Sequence, residues 1–236
     1  MDIEFGFIAQ AFVKLLPAVP MTLMITGTTI TVSLIIAIIL IYFQHYNMPV
    51  MAKSARFYIS FARGTPAMLH IFLAFYGIPE ISKWIGSAFG IKISGGAIPL
   101  PVIAVIALSF STSAYFAEII RSGILAISKG EIEAAHSIGM SPWQVMRRVI
   151  LPQAFTLSIP SLGGRCIALL QNSSLAFWIA VVEVTCQANL VAADTYLYLE
   201  SFVAAGIVYW ILTFIIERIV SWLEHRRSAG MQKRGI

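Results

Sequence analysis

Leu15–Gln44 reads LLPAVPMTLMITGTTITVSLIIAIILIYFQ, thirty residues without one charged side chain. A helix rises about 1.5 Å per residue, and roughly 20 apolar residues cross the ~30 Å hydrocarbon core of a bilayer. Met21–Phe43, the most apolar part of the run, covers that distance. The same pattern recurs along the chain. Phe57–Gly77 is interrupted only by Arg63, and Ile93–Ala117 is uncharged with Pro99 near its start. Val149–Val182 holds Arg165 as its one charge, and Leu197–Val220 carries Glu200 and Glu217 near its ends. These runs predict an all-α integral membrane protein with five transmembrane helices.

Composition agrees. Of 236 residues, 58% are hydrophobic and 11% charged, with mean hydropathy +0.84, whereas a soluble domain carries about a quarter charged residues. Long apolar runs also exclude disorder. The net charge of +5 sits at the flanks of the runs instead of lining one groove, which points to membrane lipid and away from nucleic acid. Cys166 and Cys186 form no C-x-x-C or Cys/His pattern, so neither a disulfide framework nor a metal site is predicted. No catalytic residue is assigned.

Basic residues orient the spans. Lys53, Arg56, Arg63, Arg121, Lys129, Arg147, Arg148 and the five from Arg218 onward fall on one side, against Lys14, Lys83 and Lys92 on the other. The expectation is an N-terminus outside and a C-terminus in the cytoplasm. Residues 1–16 place Phe5, Ile8, Phe12 and Leu15 at helical spacing and predict a short interfacial helix.

Arg121–Pro152 is too polar to cross a membrane. Ile124, Ile127, Ile132, Ala135 and Ile138 follow a helical period, Gly139 interrupts it, and Ser141-Pro142 restarts a helix as N-cap and first residue. The segment predicts a helix, a glycine turn and a second helix on the cytoplasmic surface.

Within it, Glu133-Ala134-Ala135, three residues, Gly139, nine residues and Val149-Ile150-Leu151-Pro152 resemble the EAA loop of ABC-importer permeases, E-A-A-x3-G-x9-I-x-L-P, with Val149 for isoleucine. Phe61-Ala62-Arg63-Gly64-Thr65-Pro66 resembles the F-x-R-G-T-P start of the second span in polar amino-acid permeases. Ala114–Ile124 resembles their third-span exit, A-Y-x-A-E-x-x-R-x-x-I. Lys129-Gly130, Leu151–Ala154 and Ser173–Leu175 also match, so the resemblance runs from about Pro20 to Val220. The chain departs from the family at Gly164, usually asparagine, at Gln171, usually lysine, and at His70, commonly glutamine.

The resemblance implies the type I importer (MetI-like) fold: an N-terminal segment 1–19, a transmembrane domain 20–222 with a coupling insert at about 121–152, and a basic cytoplasmic tail 223–236. It also implies a bacterial inner-membrane location and a role as permease in amino-acid transport. The partners it implies are an ABC ATPase dimer, a second permease copy or paralogue, and an extracytoplasmic amino-acid-binding protein. No G-x-x-x-x-G-K-[ST] phosphate loop occurs here, so no cofactor is expected on this chain; ATP and Mg belong to the partner ATPase. Glu133, Ala134, Ala135, Gly139, Leu151 and Pro152 are the expected ATPase-coupling residues. The alanines keep the helix slim enough for a groove, Gly139 turns without a Cβ clash, and Glu133 accepts hydrogen bonds from the partner.

Polar residues inside the spans mark candidate substrate contacts. Arg165, thirteen residues after Pro152, lies about 20 Å into the bilayer, and His70 reaches a similar depth. An intramembrane ionisable group is a functional-site candidate, although pairing of Arg165 with Glu118 or Glu183 fits the sequence nearly as well. Gln171, Asn172 and Ser173 complete a polar cluster able to break a helix. The threonines of the first span read as packing residues. Two other functions compete: an intramembrane serine hydrolase using His70 with Ser111 or Ser113, and a non-transporting scaffold subunit. Neither accounts for the EAA pattern. With no acidic residue deep in a span, cystine or another neutral polar amino acid suits better than a cationic one.

Overall fold

A computed structural model describes residues 4–45, 48–90 and 98–232, with side chains up to Arg226. Every described element is helical. Helix α1 (Phe5–Leu15) continues through a 3-10 turn at Leu16–Ala18 into α2 (Val19–His45), giving one helical run from Phe5 to His45. The N-terminal segment, expected as a short interfacial helix, leads directly into the first long helix. It buries Ala11 and Leu15 in a cluster with Val184, Ala188, Ala204 and Val208.

The predicted span Phe57–Gly77 needs correction. It straddles two helices, α3 (Pro49–Gly64) and α4 (Ala67–Ala88), separated by extended backbone at Thr65 (φ −117°, ψ 144°) and Pro66 (φ −63°, ψ 139°). Proline lacks an amide hydrogen, and its ring pushes the preceding residue out of the helical region. The mostly apolar side chains of 57–77 hid that break.

Helix α5 (Leu100–Leu125) follows, with Pro99 as N-cap; the preceding 91–97, the start of the predicted Ile93–Ala117 span, lie outside the described residues. The chain then forms α6 (Lys129–Ser137), α7 (Pro142–Val145), a π turn at Met146–Ile150, α8 (Leu151–Asn172), a 3-10 turn at Ser173–Ile179, α9 (Val184–Thr195) and α10 (Tyr198–Gln232). By length and composition, three described helices can cross a membrane: Phe5–His45, Leu100–Leu125 and Tyr198–Arg226. The pair Pro142–Ile179 and Val184–Thr195, bent by 51°, makes a fourth if read as one broken span. Helix α4 is the remaining one of the expected five; its second half carries Pro79, Glu80 and Lys83.

Helix α5 is central. Its buried face, including Ile103, Ala104, Ala107, Leu108, Ala114 and Ala117, joins Ile25 of α2, Ile71 of α4 and Leu169 of α8 in one core and Ala37 and Ile59 in another. Small residues let helix backbones approach closely. At Gly123 an added Cβ would lie 2.3 Å from Ser158 Oγ and 2.8 Å from the Ala154 carbonyl oxygen, so α5 and α8 cross there almost backbone to backbone. On α2, Thr22, Thr26, Thr29 and Ser33 are all buried. Thr26 donates to the Thr22 carbonyl, and Thr22 Oγ1 accepts the Val184 amide at 3.2 Å.

The insert has its own small core of Ile127, Ala135, Val145 and Ile150. Gly139, at φ +83°, occupies the left-handed region that an L side chain enters at a cost. Its amide and that of Met140 close α6 on the His136 and Ala135 carbonyls. Ser141 caps α7 in a reciprocal capping box with Gln144, as the Ser-Pro signal predicts.

Candidate functional site

The break at Thr65-Pro66 makes one wall of a cavity of about 400 Å³, whose other walls are Ser111 and Tyr115 of α5 and Arg165 and Asn172 of α8. Non-helical backbone at membrane depth is tolerated where it lines such a cavity. The Arg165 guanidinium carbon sits 3.7 Å from the centre of the Tyr115 ring, a cation–π contact. Its Nε is buried without a hydrogen-bond partner, and no ion pair to Arg165 occurs among the described residues. The two carboxylates that could have neutralised it are committed elsewhere. Glu118 holds Arg121 through both oxygens and faces Arg63 at 3.7 Å. Glu183, fully buried, caps α9 by accepting the Thr185 and Cys186 amides at 2.9 Å each and the Tyr209 hydroxyl at 2.6 Å.

The other candidates divide. His70 is buried and touches the cavity only through Thr65, whose Oγ1 is hydrogen-bonded to His70 Nε2. That hydroxyl spends its proton on the Phe61 carbonyl at 2.8 Å, so Nε2 must donate. Of the polar run, Asn172 shares the Arg165 cavity. Gln171 lines a separate one of about 340 Å³ with Ser174, Thr185 and Tyr209. Ser173 is buried and donates to the Leu170 carbonyl. Ser113 is bonded to the Tyr58 hydroxyl, and no described hydrogen bond joins His70 to Ser111 or Ser113.

On the insert, Glu133 and Ala134 are exposed while Ala135 turns into the local core. Ala134 therefore presents the slim outer surface expected of both alanines. Ile138 and Trp143, 76% and 64% exposed, flank the Gly139 turn. Leu151 and Pro152 begin α8 and are exposed. Gln153 Nε2 donates to Glu131 at 2.6 Å, tying α6 to the start of α8.

The profile of the "Binding-protein-dependent transport system inner membrane component" family matches residues 49–229, from the start of α3 into α10. The chain belongs to this family. Among similar inner membrane components, "Probable amino-acid permease protein YxeN" of Bacillus subtilis is 34% identical over 226 residues, 96% of either chain. "L-cystine transport system permease protein TcyL" of the same organism is 36% identical over 207 residues, 87% of this chain and 84% of that one. The structure described as "Crystal structure of an amino acid ABC transporter with histidines" superposes with TM-score 0.82 at 30% identity, covering 96% of this chain and all of the other. An inward-facing MetNI methionine ABC transporter, at 20% identity and TM-score 0.64, shares the fold. This inner membrane component is thus a multi-pass ABC-importer permease with the MetI-like fold.

Two features of the permease escaped the sequence reading. Glu183 caps α9 with its carboxylate, but glutamate is not among the favoured N-cap residues and the helix opens on polar Thr185 and Gln187, so no local signal marked it. Tyr115 is the ring that holds Arg165, and only its i, i+4 relation with Ser111 on α5 hinted that both face one cavity.

Proposed function

We propose that this permease carries a neutral polar amino acid, cystine being the leading candidate, into the cytoplasm by ATP-driven alternating access, and that Arg165 receives the substrate carboxylate. The observation that carries the reading is a half-buried guanidinium with no carboxylate partner, aimed with Asn172 and Ser111 at a cavity sized for a small molecule. An unpaired charge in a low-dielectric interior costs several kcal/mol, and a transiting carboxylate offsets that cost. The relatives' names, an amino-acid permease and an L-cystine permease, support the substrate class.

Five spans with the N-terminus outside place the insert in the cytoplasm. There Glu133, Ala134 and the Gly139 turn, with Ile138 and Trp143 alongside, dock on an ABC ATPase dimer. The Glu131–Gln153 bond and Leu151-Pro152 pass the motion of the docked insert directly to α8, which carries Arg165. A second permease copy or paralogue completes the transmembrane unit, and an extracytoplasmic binding protein delivers the amino acid. Rigid-body repacking of the two halves opens the cavity to one side at a time.

Arg165→Gln tests the substrate contact when uptake and basal ATPase activity are measured together in proteoliposomes. The proposal requires lost uptake by a stable complex that still hydrolyses ATP. Normal uptake, or loss only because the complex falls apart, overturns it.

A further inference from the structure

A second, larger cavity of about 850 Å³ opens where α2 ends, between α3 and α5. It adjoins the Arg165 cavity: Arg63, Gly64 and Tyr115 line both. Three guanidiniums, Arg56, Arg63 and Arg121, face it against one carboxylate, Glu118. Glu118 lies between two of them, paired to Arg121 and 3.7 Å from Arg63. Tyr115 joins the two cavities electrostatically. Its ring holds Arg165 at 3.7 Å on one contact and Arg63 at 5.6 Å on another, and its hydroxyl donates to the Arg63 carbonyl at 3.4 Å.

We infer that this cavity is a second, cytoplasm-side station for the carboxylate of the transported amino acid, with Arg63 as the receiving group and Tyr115 as the partition the substrate passes. The inference rests on the proposed role of Arg165 in the first cavity. A carboxylate leaving Arg165 meets Arg63, which contacts the same tyrosine ring and lines both cavities, and so is never left unpaired. Glu118 keeps Arg63 from holding it permanently, because the guanidinium has a resident anion to return to. Arg56 and Arg121 give the exit a net positive lining, which concentrates anions in a cleft. The apolar side of the cavity, Ile59, Ile124 and Leu125 among others, leaves room for the substrate side chain.

The test uses the assembled transporter, permease with its ATPase and binding protein, in phosphatidylcholine proteoliposomes, with Cys166 and Cys186 replaced by serine and Ser60→Cys placed in the cavity. The anionic reagent sulfonatoethyl methanethiosulfonate should modify position 60 at least about tenfold faster than its trimethylammonium analogue, relative to the same pair of rates at exposed Ser137→Cys. Arg63→Gln should erase that preference. In uptake from a mixture of the common L-amino acids and L-cystine, Arg63→Gln should lower the maximal velocity roughly fivefold while KM stays within about twofold, and Arg63→Lys should recover part of the velocity. Arg165→Gln should instead abolish uptake or raise KM.

No preference for the anionic reagent, or unchanged velocity in Arg63→Gln, overturns the second station. So does a rise in KM matching the fall in velocity, which would mean a single site. A reagent preference that vanishes when phosphatidylglycerol is added marks a lipid-headgroup site and also overturns it. Normal uptake by Arg165→Gln, with the Arg63→Gln defect intact, removes the first contact and leaves the cytoplasmic one standing.

Discussion

Arg165 is held in place by an aromatic ring instead of a carboxylate, and that choice keeps it available. Had Glu118 or Glu183 reached it, the guanidinium would be a helix tie with little affinity left for a passing anion. Tyr115 supplies about 0.5–2 kcal/mol of cation–π attraction without neutralising the charge. Tyr115→Phe preserves the ring face and should leave uptake close to normal, whereas Tyr115→Leu should lower apparent affinity by roughly 2- to 30-fold; concentration-dependent uptake measures both, and equal behaviour of the two variants would contradict the ring's role. Glu183 is the opposite case, a buried carboxylate whose work is structural. Glu183→Ala leaves two amides and the Tyr209 hydroxyl without their acceptor, a loss of about 1–3 kcal/mol for each group left unsatisfied. Glu183→Gln keeps one acceptor oxygen and should fall between alanine and wild type in thermal unfolding in detergent. That α8 carries a single cation within a long apolar run was legible in the sequence, but the orientation of Arg165 was not, because about 100° of helix rotation separates the Asn172 side of α8 from the Gln171 side and the apolar pattern there is too even to choose.

At the level of elements, the insert was the most legible part of the chain. Its Gly and Ser-Pro signals are local, so the turn and the N-cap are set within a few residues and the structure carries both; the Gln144 half of the capping box was not read. The spans were less legible at their ends. Hydropathy reports how apolar a stretch is, not whether its backbone is continuous, so Gly64-Thr65-Pro66 disappeared inside an apolar window and α9 disappeared behind its polar Thr185, Gln187 and Asn189. Two substitutions probe the elements separately. Gly139→Val forces a β-branched side chain to φ +83° at about 1–2 kcal/mol. Open space around that position confines the damage to the turn, so membrane insertion should persist while ATPase association weakens, as co-purification would show. Gly139→Asn should be milder. Gly123→Ala drives a methyl against the Ala154 carbonyl, which cannot move without shifting α8, and should cost about 1–3 kcal/mol. An unchanged unfolding midpoint for Gly123→Ala would contradict the close α5–α8 crossing.

For the whole molecule, the proposed function joins a docking insert, a span that carries a cation, and two adjoining cavities into one path for energy and substrate. Topology is its first requirement: Ser87, exposed near the end of α4, and Ser137, exposed on the insert, must lie on opposite faces. Cysteine labelling in intact cells should modify Ser87→Cys and spare Ser137→Cys. The proposal that ATP hydrolysis on a partner drives an amino acid through this chain is tested by uptake in proteoliposomes holding the permease, its ATPase and its binding protein, supplied with a mixture of L-amino acids. Accumulation of one or a few polar amino acids inside the vesicles should require ATP and fall sharply with Gly139→Val. Accumulation independent of ATP, or full ATP-driven uptake by the Gly139→Val complex, would contradict the proposal.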